Sequence, residues 1–234
     1  MPFVAPEVIE SRRLQIRLFV ESDLPALLEV NSDEEVTALL PYARWASLAD
    51  ADAWFKRMSA IQATGLALQF VVVSRSIGNA IGTCLLFGFE EGSARAELGY
   101  VLGRNFWGQG LMQEALEALL GCAFGSMGLR RLEAEVDTRN FRSALLLRRL
   151  GFSREGLLRQ RWFSKGEARD VEMYGLLRSE WPPQRRARKG LMGSGISQEV
   201  EEALRGDGAR RPGRSELQTP QNAHEPRCRA RRAH

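Results

Sequence analysis

Histidine is almost absent from this sequence. Among its 234 residues there are two, His224 and His234, both near the carboxyl end. The body of the chain therefore has no Ser-His-Asp triad, no Cys-His pair and no histidine-ligated zinc. Acid–base chemistry falls to carboxylates, hydroxyls, backbone and water. Cysteine is scarce too: Cys84, Cys122 and Cys228 are odd in number and far apart. That spacing offers neither a disulfide framework nor a CxxC metal site. The apolar settings of Cys84 and Cys122 make them read as buried free thiols. No apolar run approaches the ~20 residues that a membrane-spanning helix needs. The amino end, MPFVAPEVIE, carries acidic residues and no basic stretch before an apolar core, so it does not read as a signal peptide. The expected location is the cytoplasm, with no membrane partner.

What is present is unevenly spread. Residues 182–234 hold 12 Lys and Arg against 6 Asp and Glu, while the other 181 residues hold 21 against 23. The basic character belongs to the carboxyl-terminal tail, and the body is close to neutral. The tail follows Pro182-Pro183, is rich in Arg, Gly, Pro and Ser, and has few aromatics. Such a segment buries too little apolar surface to offset its chain entropy, so it is expected to be largely disordered, beside one domain over residues 1–181.

Within the body, Leu14, Ile16 and Leu18 alternate as in a strand. Helices are expected from about Pro25, and after Ser47 and Asp50, which resemble a capping box. Leu68–Val73, Ile81–Phe89 and Ala94–Leu102 read as strands of an antiparallel meander. A Gly-rich turn then leads to a helix over about Gly110–Phe124, with Leu116, Leu119, Leu120 and Ala123 on one stripe. A strand at Leu132, Ala134 and Val136 follows, then a short helix over Arg142–Leu150. Two last strands pair across Lys165-Gly166. The strand–helix–strand order over residues 95–137 implies one parallel crossover in a mostly antiparallel sheet.

The turn carries the chemistry. Gly108 and Gly110 stand between a strand and a helix, where glycine lets the backbone approach a ligand. The first helical amides lack partners in the chain, and the helix dipole favours an anion there. A tight turn needing glycine for shape alone is the plain alternative. No Lys-Ser/Thr follows the glycines, and the G-x-G-x-x-G spacing is absent, so neither a nucleotide P-loop nor a dinucleotide site is indicated.

At this point the sequence resembles a family. Asn105, Phe106, Trp107, Gly108, Gln109 and Gly110 resemble the acetyl-CoA motif Q/R-x-x-G-x-G/A of the GNAT superfamily, with Asn105 departing from the usual first residue. The aromatic-Trp-Gly-x-Gly form, preceded by Glu97-Leu98-Gly99-Tyr100, looks most like the RimJ/RimL branch. Asn140-x-x-Ser143 followed by Leu150-Gly151-Phe152 is similar to that branch's second cofactor segment. Arg13-Leu14 through Leu28 and Asp170 through Tyr174 resemble its opening and closing elements. The likeness covers roughly residues 10–181.

The resemblance implies an α+β fold: a mixed, mostly antiparallel sheet of about seven strands, flanking helices and one splayed parallel pair. It implies acetyl-CoA as cosubstrate, no metal, and direct attack of an amine in a ternary complex without an acyl-enzyme. Asn105, Phe106, Trp107, Gly108, Gln109, Gly110 and Leu111 would surround the pyrophosphate. Backbone at Gly99, Tyr100 and Val101 would hold the pantetheine arm and polarise the carbonyl. Glu97 would be the general base through water, or else a solvated strand charge. Asn140 would bond the pantetheine arm, cap the short helix, or both. Ser143 would meet the cofactor sulfur, or be an ordinary first-turn serine. Many superfamily members carry a tyrosine acid where this chain has Leu147, which turns attention to Ser143 or water. Trp45, Trp54 and Trp162 would pack or line an acceptor cleft. Arg148 and Arg149 would reach phosphate or solvent, and Asp170 an acceptor amine or a neighbouring strand.

Three functions compete. The branch implies acetylation of a protein N-terminal or peptide-like amine. Acetylation of a small amine, such as a polyamine, amino acid or aminoglycoside, differs only in acceptor. The third is a binding module whose Arg clusters at Arg185–Lys189 and Arg227–Arg232 hold RNA or ribosomes. Without interleaved aromatics such contact would be weak, electrostatic and salt-sensitive. The expected assembly is a monomer or homodimer.

Overall fold

The computed structural model describes residues 6–181. The basic tail and every expectation about it lie outside these residues. The elements in order are strands Val8–Glu10 (β1) and Leu14–Leu18 (β2), and helices Leu24–Ser32 (α1), Glu34–Thr37 (α2) and Leu48–Ala63 (α3). Then come Ala67–Ser74 (β3), Ala80–Glu90 (β4), Arg95–Leu102 (β5), Leu111–Phe124 (α4) and Arg131–Asp137 (β6). Phe141–Arg149 (α5), Ser153–Ser164 (β7) and Glu167–Leu177 (β8) complete the fold. Among the described residues, no helix is long and apolar enough to cross a membrane.

All the strands join one sheet in the order β1-β2-β3-β4-β5-β6-β8-β7. Eight strands stand where about seven were expected. The addition is β1, three residues that pair antiparallel with β2 at Val8↔Arg17 through Glu10↔Gln15. It is too short to display an alternation. Helix α2 is likewise not expected from the sequence; its start is fixed when Asp33 Oδ1 accepts from the amides of Glu35 at 2.9 Å and Val36 at 3.2 Å. The capping contact expected ahead of α3 is present in part: Asp50 Oδ2 accepts from the Ser47 amide at 3.0 Å.

Period-2 alternation divides β3 between two cores. Leu68, Phe70 and Val72 face α4 and α5, while Ala67, Val71 and Val73 face α1 and α3. In α4 the expected stripe is fully buried: Leu116, Leu119, Leu120 and Ala123 are all 0 % exposed. Each leucine contributes about 1.5–3 kcal/mol by leaving water. On the other face, Trp45 and Trp54 meet at 5.4 Å with their planes tilted by 50°, and Phe19 lies 5.2 Å from Trp54; both tryptophans pack against the core and also line a cavity beside Tyr42 and Arg57. Cys84 is buried as expected, but Cys122 is half-exposed, because it lies on the solvent side of α4.

The parallel pair of strands positions the site. β5 pairs with β6 only at Arg95↔Arg131, Ala96↔Leu132 and Glu97↔Glu133. Beyond Glu97, β5 pairs with β4 alone and β6 with β8 alone. The two strands therefore splay apart, leaving the facing backbone edge of Leu98–Leu102 without a ladder partner.

Candidate active site

The turn after β5 is built from its own backbone. Phe106 N–H donates to Gly103 O at 3.0 Å, and Gln109 Nε2 donates to Asn105 O at 2.9 Å. Trp107 Nε1 donates to Leu102 O at 2.7 Å, which pins the indole under the turn. Gly108 and Gly110 have φ of +72° and +71°, left-handed values that a side chain resists. A Cβ on Gly108 would meet nothing within 4 Å, so open space lies in front of it. Among the described residues, no acceptor pairs with the amides of Gly108 to Gln113. Open space and unpaired amides at the start of a 14-residue helix fit an anionic pyrophosphate.

The sequence-derived residues play unequal parts here. Phe106 and Trp107 turn their rings toward the core, and the Leu111 side chain is 7 % exposed and packs there too. Asn105 and Gln109 are exposed at the turn. A brace not legible in the sequence holds the turn from behind. Arg13 Nη1 donates to Gln109 O at 3.0 Å, and Arg13 Nε pairs with Glu114 Oε2 at 2.7 Å. Glu114 also accepts from the Arg13 amide and Ser11 Oγ; these bonds outweigh its burial and hold its carboxyl below the usual range.

Across the splay, Asn140 caps α5 as expected: Asn140 Oδ1 accepts from the Ser143 amide at 3.1 Å. Ser143 Oγ lies 2.6 Å from the Tyr100 hydroxyl. Arg142, one residue earlier, sits 5.1 Å above the Trp107 ring. Leu147 is 0 % exposed, a core side chain. Gly99 and Val101 lie beside the splay; Val101 packs on Val30 and Val36. Arg148 turns to the Tyr174 hydroxyl at 3.5 Å, and Arg149 is exposed. Asp170 Oδ1 accepts from the Gln160 amide at 2.8 Å, a cross-strand bond that braces a bulge in β7.

The opposite face of the splay is acidic, and nearly every carboxylate on it is paired. Glu133 is held by Arg95 and Arg131, which offset its burial and keep its carboxyl below the usual range. Glu135 accepts from Arg161 Nε at 3.0 Å and Trp162 Nε1 at 2.7 Å. Asp137 chelates Arg139 at 2.9 and 2.8 Å. Glu97, half-buried at the last β5–β6 pair, has no hydrogen-bond or ion-pair partner among the described residues. Burial raises its pKa first, and the charges of Glu135 and Glu133 add to the rise. Ser164 Oγ is buried without a hydrogen bond, and Arg169 Nη1, likewise without one, forms a longer ion pair with Asp137 Oδ2 at 3.6 Å. Beyond them, Lys165 at the hairpin tip donates to the Thr37 and Ala38 carbonyls at the end of α2.

This geometry has counterparts in known proteins. The sequence model of the acetyltransferase (GNAT) domain family matches residues 13–153. The uncharacterized N-acetyltransferase p20 of Bacillus licheniformis is 34% identical over 175 residues, covering 75% of this chain and 98% of that protein. A ribosomal-protein-alanine N-acetyltransferase of Escherichia coli is 33% identical over 122 residues, covering 52% of this chain and 63% of that protein. A solved ribosomal-protein α-N acetyltransferase of RimL type, in complex with coenzyme A, superposes with a TM-score of 0.65 at 25% identity. That match covers 73% of this chain and 98% of the other.

Proposed function

The chain belongs to the GNAT family of acetyl-CoA-dependent N-acetyltransferases, and from that premise we propose that its acceptor is the N-terminal amine of a protein or a peptide-like substrate. Acetyl-CoA supplies an acetyl group activated as a thioester. The amides of Gly108–Leu111 seat the pyrophosphate, and the unpaired edge of β5 at Gly99, Tyr100 and Val101 receives the pantetheine arm. The Asn140 side chain sets the first turn of α5. On the opposite face Glu97 takes a proton from the attacking amine through water. Backbone donors polarise the thioester carbonyl, and the Ser143 hydroxyl meets the departing sulfur.

The observation that carries these roles is the splay itself, with unpaired amides near one face and an unpaired carboxylate at the other. Glu97 is the free base in a row of neutralised acids. A peptide-like amine would approach this base from the acidic face of the splay. The ribosomal-protein enzymes among the relatives agree with that acceptor class, which is met in the cytoplasm.

The test is CoA release from acetyl-CoA with the purified chain and three acceptor sets: peptides with free N-termini, polyamines and aminoglycosides. Turnover is expected with peptides. Turnover confined to the small amines contradicts the assignment.

A further inference from the structure

Tyr100 is expected from the sequence to act through its backbone, but its side chain has a more specific place. It follows Ala96 and Leu98 on the face of β5 that packs toward α4 and α5, opposite Glu97. Its hydroxyl lies 2.6 Å from Ser143 Oγ, at the short end of the O–H···O range, and 3.4 Å from the Ser143 carbonyl. Among the described residues it is the one partner of the Ser143 hydroxyl. The serine is also fixed from its own helix, where its amide donates to Asn140. Burial pushes the phenol pKa up, so the phenol stays neutral and keeps its proton to donate. Besides Ser143 Oγ, the Ser143 carbonyl at the longer distance of 3.4 Å is the acceptor within reach among the described residues. The Cys84 thiol opposite on β4 is pushed up to about 12 by burial, and the Tyr174 hydroxyl on β8 donates to Glu172 at 2.6 Å. Arg148 is turned to Tyr174, and Arg142 to Trp107.

When the phenol donates to Ser143 Oγ, the serine's own hydrogen is left to turn into the splay. We propose that Tyr100 is a positioning residue, orienting the Ser143 hydroxyl so that its hydrogen meets the CoA sulfur as the carbon–sulfur bond breaks. The sulfur gains negative charge at that moment. A donor already aimed at it needs no reorganisation, and Ser143 need not surrender its proton. The inference rests on the assignment of Ser143 to the sulfur, and it separates from that assignment by experiment.

The full chain is saturated with CoA, and the bound thiol is titrated by thiolate absorbance against the unliganded chain. A donated hydrogen bond favours the thiolate, so the bound thiol is expected to titrate about one pH unit below free CoA, a tenfold change in thiolate ratio. Tyr100→Phe and Ser143→Ala are each expected to abolish that shift when read at saturating CoA. The double variant should match Ser143→Ala, since Tyr100 acts through the serine. A shift retained in Tyr100→Phe but lost in Ser143→Ala overturns the proposal and leaves the serine's role standing. A shift retained in Ser143→Ala removes both. A double variant shifted further than Ser143→Ala also overturns it. Should Tyr100→Phe lose its cooperative melt, fluorotyrosine at position 100, a stronger donor of nearly the same shape, is expected to lower the bound thiol pKa further. No change there has the same overturning force.

Discussion

Glu97 is a carboxylate whose surroundings favour the protonated form. Burial and the charges of Glu135 and Glu133 raise its pKa, and as a base it acts only when ionised. Activity is therefore expected to fall with decreasing pH through an apparent pKa above the ordinary glutamate value of about 4.3. Glu97→Gln should remove that limb of the kcat/KM profile and lower kcat by roughly 10²–10⁴-fold, as measured by CoA release. The same shift has a consequence for stability. A folded-state pKa raised above the unfolded value means that stability declines as pH rises from the unfolded pKa through the folded one. Glu97→Gln is therefore expected to melt higher than wild type near neutral pH, with the difference closing below the carboxylate range. Calorimetry across pH checks both signs. Gly108→Asp is a complementary change. Its Cβ would meet no neighbour within 4 Å, so the conformational cost is that of the left-handed φ of +72°, about 1–2 kcal/mol, and a charge then faces the phosphate seat. Calorimetric affinity for acetyl-CoA is expected to drop at least tenfold, and an unchanged value in a folded variant would place the cofactor elsewhere. The positions of Glu97 and Gly108 are legible in the sequence, because a motif and a strand phase fix them. The missing ion partner of Glu97 is not, since it depends on Arg95, Arg131 and Arg161 choosing other carboxylates. Nor is the brace between Arg13 and Glu114, residues that share no spacing pattern in the chain.

Elements follow the strength of their periodicity. The stripe on α4 reads clearly, and Leu119→Ala there should destabilise the fold by about 2–5 kcal/mol in denaturant titration, because the site has no room to collapse. The β7–β8 hairpin is legible from Lys165-Gly166, and the parallel crossover from element order. Short pieces give no period: β1 has three residues and α2 four. The bulge in β7 is hidden too. Gln160 takes φ +51° there, a value no sequence rule assigns to glutamine, and Asp170 from the neighbouring strand accepts its amide. The hairpin tip closes a long-range contact of the same kind. Burial, then the charge of Arg139, lowers the Lys165 pKa, yet its ammonium caps two α2 carbonyls. Lys165→Met should speed amide exchange at the tip and around α2 while leaving exchange in α4 unchanged. Equal protection in both variants would show that the cap does not hold the hairpin.

At the scale of the whole molecule, the charge division predicts a functional one. A chain ending at residue 181 is expected to melt cooperatively and bind acetyl-CoA as the full chain does. Any affinity for RNA should vanish with residues 182–234 and weaken steeply with salt. RNA binding unchanged by that truncation would place it on the body. The splay has a further consequence. Three residue pairs, Arg95 to Glu97 on β5, are all the ladder that stitches strands β1–β5 to strands β6–β8. In mechanical terms the sheet is two leaves on a short seam, and the proposed seat of the reagent lies where the stitching stops. Acetyl-CoA then works as a dowel as well as a donor, and holding it should slow amide exchange along β6, strand by strand away from the site. The loaded enzyme is then expected to exchange more slowly than the enzyme that has released its spent reagent, as amide exchange with and without CoA would measure.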